Sequence, residues 1–339
     1  MKIRGDLMIN LGIIGTNWIT KQFVNAGEET DSFKLAHVYS RTESKAQSFI
    51  DDLSKSNISI STDLEQFFSS NDFDAVYIAS PNRLHFKQAK MAIEHGKNVI
   101  LEKPSASNIR EFTILDQLAH QKGVYMIEAA RHIHEPIFKK VQEYVDNNRE
   151  QLTGATISYM KYSSKFDDFL AGKKPNVFTT DFSGGALYDL GVYTVYDAVV
   201  LFGQPEEVKY QPEFLEDGID GSGSLTLKYK DFDVNIIVGK TKNSYLPTEI
   251  YFGKKTLLLD NGGDITKVSE ADDKKEIKEI PTTKSDNPMD SEAIEFARII
   301  NENDKAAYDK LFEYARKVNR ILEQARMSAG LVFEADKEY

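Results

Sequence analysis

The sequence predicts an α/β protein of two parts: a doubly wound parallel sheet, followed by an α+β domain with a large, mainly antiparallel open sheet. Three observations carry this. In the N-terminal part, short runs that are apolar along their whole length alternate with helical patterns, as expected of strands buried on both faces. Farther on, the runs lengthen, alternate apolar with polar and are joined by turn residues, as in antiparallel strands. Finally, 339 residues exceed what one hydrophobic core usually supports, which sets the expected domains at 1–130 and 131–339.

In chain order, strands are expected over 9–14, 35–39, 75–79, 98–101 and 124–127, with helices over 42–53, 84–95 and 108–121. Gly96 and Gly123 stand just after two of these helices, where a left-handed C-cap belongs. The repeated strand–helix order implies right-handed crossovers. After a helix over 135–148 come strands near 153–162, 222–229, 232–239, 249–252 and 257–260, with Lys230-Asp231 and Gly253-Lys254 as turns between pairs. Helices over 186–202, 290–301 and 305–327 are amphipathic enough to cover one face of the second sheet. The charged stretch 269–278 reads as a solvated loop or an edge strand.

Composition excludes several function classes. A formal charge of −11, from 42 basic and 53 acidic residues, repels a phosphate backbone, so nucleic acid is not an expected partner. Without cysteine there is no disulfide, thiolate zinc site or thiol nucleophile. No window approaches the ~20 apolar residues of a membrane span. The opening Met1-Lys2-Ile3-Arg4 and Leu7-Met8-Ile9 lack a small-residue cleavage site, so a cytoplasmic protein is expected, starting at Met1 or Met8.

The first strand runs into Gly12-Ile-Ile-Gly15-Thr16-Asn17-Trp18-Ile19-Thr20, a turn that aims the amides of the next helix at an anion such as a pyrophosphate. Against G-x-G-x-x-G/A, Gly15 is the first glycine, Asn17 takes the second place and Thr20 the third. Asn17 is expected to tolerate a left-handed backbone there. The end of the second strand should meet the adenosine ribose. Ser40, Arg41 and, one turn on, Lys45 favour a 2′-phosphate, hence NADP with NAD as the second choice, unless Arg41 and Lys45 are simply solvated charges.

Beyond the strands expected over 75–79 and 98–101 stand Ser80-Pro81-Asn82-Arg83-Leu84-His85 and Glu102-Lys103-Pro104. Later come Glu128-Ala-Ala-Arg131 and Gly184-Gly185-Ala-Leu-Tyr-Asp189-Leu-Gly191-Val-Tyr193. Together with the glycine turn, these segments resemble the glucose-fructose oxidoreductase, inositol dehydrogenase and rhizopine catabolism (Gfo/Idh/MocA) family over almost the whole chain. The resemblance implies a Rossmann-type first domain, whose NAD(P) contacts extend to Ser80, Pro81, Asn82, His85, Glu102, Lys103 and Arg131. It implies a second domain for substrate and homo-oligomer contacts through a sheet with one uncovered face, giving a dimer or tetramer.

It also implies Lys103, Asp189 and Tyr193 as catalytic groups. Alcohol oxidation needs a base for the hydroxyl proton as hydride leaves, and reduction needs the same group as acid. A tyrosine at its ordinary pKa of ~10 is a poor base, and a nearby cation such as Lys103 is the remedy. If the segment is helical, Asp189 and Tyr193, four residues apart, share a face. By position His132, Asn176 and Phe178 are candidates for the substrate pocket, although core packing or surface hydrogen bonding fits them equally. His132 and His134 point to opposite sides if extended, and no metal site is expected.

The expected activity is hydride transfer between a nicotinamide cofactor and a sugar, cyclitol or dihydrodiol/dicarbonyl-like molecule. Two alternatives stay open: a redox-assisted lyase or glycosidase that retains its cofactor, and a non-catalytic nucleotide sensor of the same fold.

Overall fold

The computed structural model describes residues 8–274 and 276–338. The opening residues, on which the leader and Met1 start-site expectations rest, lie outside them. The described chain divides into two compact units. The first comprises the chain up to Ala106, Arg110–Arg131 and Ser285–Glu313; the second comprises Ser107–Ile109, His132–Lys284 and the chain from Tyr314.

In the first unit the elements run β1 (Ile9–Ile14), α1 (Trp18–Glu29), β2 (Phe33–Tyr39), α2 (Glu43–Asp52), β3 (Ser59–Ser61), α3 (Leu64–Ser69), β4 (Ala75–Ile78), α4 (Arg83–Glu94), β5 (Asn98–Glu102), α5 (Ile109–Lys122) and β6 (Met126–Ala129). The sheet order is β3-β2-β1-β4-β5-β6 with every pair parallel, the doubly wound arrangement the sequence predicts. Leu11, Ile13, Tyr77 and Ile100 are wholly buried, which is why their strands read as unbroken apolar runs. Phe23 of α1 stacks on Tyr77 at 4.1 Å between ring centres and ties helix to sheet. Both expected C-cap glycines have positive φ, +73° at Gly96 and +68° at Gly123.

The second unit runs α6 (Pro136–Asn147), β7 (Gly154–Met160), α7 (Phe166–Leu170), a π-turn (Leu187–Gly191) continuing into α8 (Val192–Phe202), then β8 (Glu207–Phe214), β9 (Asp220–Lys228), β10 (Asp233–Gly239), β11 (Thr248–Phe252), β12 (Lys255–Leu259), β13 (Val268–Ala271) and β14 (Ile277–Glu279). The sheet order is β14-β13-β12-β11-β7-β10-β9-β8, antiparallel except for the pair β7–β10. The turns Lys230-Asp231 and Gly253-Lys254 join hairpins as expected. The charged stretch near 269–278 supplies β14, the edge strand. Thr180–Phe202 has the length and the mean hydropathy of 1.2 that a membrane span needs, against the sequence expectation, but it is a core helix with 83% of that window buried.

Three expectations are corrected. The crossover between β2 and β4 contains β3 and α3, which the sequence reading passed over because Ser59-Ile60-Ser61 at the sheet edge carries no apolar run. α9 (Asp290–Glu302) does not cover the second sheet. Met289, Ala293, Phe296, Ala297 and Ile299 share one core with Ile9, Phe23, Phe33 and Tyr77, so the chain returns to the first unit instead of staying in a second domain of 131–339. The stretch holding His132 and His134 is a 3-10 turn, Arg131–His134, rather than extended chain, and both imidazoles are buried.

Candidate functional site

The turn after β1 is closed by contacts that depend on side-chain identity. Gly15 has φ +104°, and a Cβ there would meet the Ala79 carbonyl at 2.6 Å, so the loops after β1 and β4 come together only over glycine. Asn17 is not left-handed as expected. Its φ of −103° and ψ of 178° are extended, and it is the N-cap of α1. Its Oδ1 accepts from the amides of Ile19 and Thr20, each at 3.1 Å, while its Nδ2 donates to the Ala79 carbonyl at 3.0 Å. The Ile19 amide is therefore engaged by the Asn17 cap, whereas no such cap holds the amides of Thr16, Asn17 and Trp18 at the turn. Trp18, 72% exposed, stands at the first position of α1.

At the end of β2, Ser40 is buried, and Arg41 and Lys45 are exposed around the start of α2. Among the described residues neither cation is held in an ion pair or a hydrogen bond. Two cations beside a helix N-terminus, whose own amides favour negative charge, fit a phosphate carried on a ribose. The Gly15 cradle and this cationic rim together fit a phosphorylated dinucleotide.

Farther along the sheet, Ser80 donates to Oε1 of Gln88 at 2.6 Å, and the Pro81 carbonyl accepts the Leu84 amide at 2.8 Å as the chain enters α4 next to Asn82. His85 does not face outward as a cofactor ligand would. It is 1% exposed, with Nδ1 3.0 Å from the Pro104 carbonyl and Nε2 2.8 Å from the Ser80 carbonyl. Burial pulls its pKa down to about 4, so the ring is neutral and has one N–H to give to these two acceptors. Its role is to tie the loop after β4 to the loop after β5.

Glu102 is likewise buried rather than presented to a ligand. Tyr77 donates to its Oε1 at 2.5 Å and the Lys103 amide to its Oε2 at 3.2 Å. Burial raises its carboxyl above the usual value, opposed by Lys103, the Tyr77 hydrogen bond and Arg131. Lys103 follows at the strand end, partly exposed, as is Arg131 at the start of its 3-10 turn. Glu128 is buried beside this loop and accepts from both the amide and the hydroxyl of Ser105, a support for the loop that the sequence reading did not single out.

The second unit gathers the other candidates. Between Ser183 and Val199 only Asp189, Leu190 and Tyr193 escape full burial, so the helical segment presents Asp189 and Tyr193 along one narrow stripe. The first of them lies in the π-turn, an insertion frequent at functional sites. Tyr193 packs edge-on against Tyr159 at 5.7 Å and His132 at 5.0 Å. His132 is 3% exposed, enclosed by Phe138, Tyr193 and Tyr196, with Nε2 3.2 Å from Oδ1 of buried Asp197. Asn176–Phe178 form a further 3-10 turn, in which Phe178 is wholly buried against Phe166 and Phe169 and only Asn176 is exposed. His132 and Phe178 are therefore buried packing residues behind the stripe.

Lys240, also missed, pairs with Asp189 at 2.8 Å while itself buried. Its signal was available: Lys240 continues the core-facing register of Val234, Ile236 and Val238, where an apolar residue belongs. Asp220, at the head of β9, holds the amide of Leu187 at the start of the π-turn and the hydroxyl of Tyr210, both at 2.7 Å. Gly185, at φ +96°, leaves room for it, since a Cβ would lie 1.9 Å from Asp220 Oδ1.

Residues 9–129 match the Gfo/Idh/MocA model, an oxidoreductase family with an NAD-binding Rossmann fold. Over 333 residues, 97% of this chain and 100% of that protein, the sequence is 37% identical to scyllo-inositol 2-dehydrogenase (NADP(+)) IolU of Bacillus subtilis (strain 168). It is 34% identical to the uncharacterized oxidoreductase YgjR of Escherichia coli (strain K12) over 97% of this chain and 99% of that one. The fold is shared with KijD10, a 3-ketoreductase from Actinomadura kijaniata crystallised with NADP and TDP-benzene, at TM-score 0.82 and 18% identity, covering 95% of this chain and 98% of that chain. With its parallel sheet, glycine turn and full-length likeness to IolU, the chain belongs to the Gfo/Idh/MocA family of NAD(P)-dependent oxidoreductases.

Proposed function

We propose that the protein is an NADP-preferring dehydrogenase that interconverts a secondary alcohol and a ketone on a polyhydroxylated ring, of the cyclitol or sugar class. The observation that carries this reading is the 37% identity to an NADP(+)-dependent scyllo-inositol dehydrogenase along its whole length. The cationic pair Arg41 and Lys45 at the start of α2 supports the choice of NADP. Thr16, Asn17 and Trp18 offer backbone amides to the pyrophosphate, and Ser80, Pro81 and Asn82 flank it. Bound NADP supplies the hydride acceptor, or in reduced form the donor.

The chain's own residues handle the proton. Tyr193 takes the hydroxyl proton during oxidation and returns it during reduction, and the Lys103 ammonium favours the phenolate form. Asp189 accepts a hydrogen bond from a substrate hydroxyl. His85 and Glu102 act indirectly by holding the loops that carry Ser80 and Lys103. The second sheet exposes a polar face bearing Thr226, Asn235 and Glu249, and we propose that this face serves a homo-oligomer.

The test is to titrate NADPH and NADH separately, then to screen cyclitols, sugars and dihydrodiols for reduction of NADP by absorbance. Tighter NADPH binding with net cofactor reduction is the expected result. Product formed without net cofactor change would overturn the reading in favour of a retained-cofactor lyase, and wild-type activity in Lys103→Met would remove Lys103 from the mechanism.

A further inference from the structure

Directly after β10 stands a cation where the strand's register, continued by one residue, asks for an apolar side chain. Val234, Ile236 and Val238 face the core, and Lys240 continues that face with 0% exposure. A buried ammonium persists only where acceptors replace its water shell. Lys240 has three such partners. Its Nζ donates to Oδ2 of Asp189 at 2.8 Å and to the Val177 carbonyl at 2.7 Å, and lies 4.3 Å from the centre of the Phe178 ring.

These partners come from two segments that the sequence motifs single out, the Asn176–Phe178 turn and the π-turn. The socket between them is tight, because a Cβ on Gly184 would sit 2.7 Å from the carbonyl carbon of Val177. Buried Asp220 on β9 also senses the ammonium. The Lys240 ammonium thereby holds Oδ2 of Asp189 at a fixed place in the π-turn.

We propose that Lys240 is a positioning residue that fixes Asp189 as an ionised acceptor for a substrate hydroxyl and anchors Asn176 through the neighbouring Val177 carbonyl. This rests on the hydride-transfer reading for its substrate, but the pairing itself does not. Asp189 then does not move a proton in the reaction; it selects a polyol by holding one of its hydroxyls, and Lys240 decides where that acceptor stands.

The experiment compares Lys240→Met, Lys240→Gln and Lys240→Arg with wild type and Asp189→Asn, using scyllo-inositol as probe and NADPH affinity as control. In Lys240→Met, KM for the probe should rise by roughly 10–100-fold, with a smaller change in kcat and an unchanged NADPH Kd. Lys240→Arg should recover part of the loss. In an Asp189→Asn background the Met substitution should add little. Lys240→Gln keeps a donor for Val177 without the charge and is the reference if Lys240→Met does not fold.

Carbon-13 NMR of the Asp189 carboxyl supplies a readout independent of turnover: its titration midpoint should lie higher in the uncharged variants than in wild type. A folded Lys240→Met or Lys240→Gln with wild-type KM, or with an unmoved Asp189 midpoint, overturns the proposal. Absence of scyllo-inositol turnover in wild type, together with a moved midpoint, would instead count against the substrate reading and leave the pairing standing.

Discussion

Asn17 closes the nucleotide turn with its side chain, accepting from two helix amides and donating to the Ala79 carbonyl. Asn17→Ala removes the cap and should cost about 1 kcal/mol, read as a lower thermal midpoint; an unchanged midpoint would show that the cap is not needed. Arg41 bears on cofactor choice. Arg41→Ala should weaken NADPH binding roughly 10-fold or more while leaving NADH nearly unaffected, since a charge-assisted hydrogen bond is worth ~1.5–3 kcal/mol. Trp18 is the only tryptophan in the chain and stands at the turn, so its fluorescence reads both titrations. Equal losses for the two nucleotides would contradict the 2′-phosphate assignment. At this scale the sequence revealed which positions matter better than what they do. His85 and Glu102 fall in recognisable motifs and His132 and Phe178 stand near them, but burial, which local spacing does not reveal, decides that they pack against neighbours.

The π-turn and α8 depend on Asp220, a residue far from them in sequence. Burial raises its pKa to about 6, against the hydrogen bonds from Tyr210 and Leu187 that lower it. A carboxyl whose folded pKa lies above its unfolded one contributes stability in full below the unfolded value of 3.8, and loses it as pH rises through about 6. Relative to Asp220→Asn, wild type should therefore lose about 3 kcal/mol between roughly pH 4 and 7, measured by denaturation at each pH. Parallel stability curves would contradict the buried, partly protonated carboxyl. Elements with one dominant periodicity were legible: β1, β4, α4 and the β9–β10 and β11–β12 hairpins stand close to where the apolar pattern puts them. β3 and α3 were not, because an edge strand of three residues needs no apolar run to be held by its neighbour β2.

As a whole, the chain is two units that are each discontinuous in sequence, since α9 goes back to pack with α1 and the first core. Amphipathicity showed that α9 has an apolar face but could not say which sheet's unit would receive it. Truncation after residue 284 should therefore destabilise the first unit, with loss of NADPH binding. For the proposed homo-oligomer, sedimentation at micromolar concentration should give a dimer or tetramer; a monomer would reassign the polar face of the second sheet to solvent.

The central claim is direct hydride transfer to NADP from a cyclitol carbon, with Tyr193 handling the proton. Its most direct test incubates the enzyme with NADP and ring-deuterated scyllo-inositol and follows the deuterium by mass spectrometry. Direct transfer puts deuterium on the reduced nicotinamide, at a rate slowed ~10²–10⁴-fold in Tyr193→Phe at unchanged NADPH affinity. Deuterium released to water without reduced cofactor, or transfer at the wild-type rate in Tyr193→Phe, would contradict it.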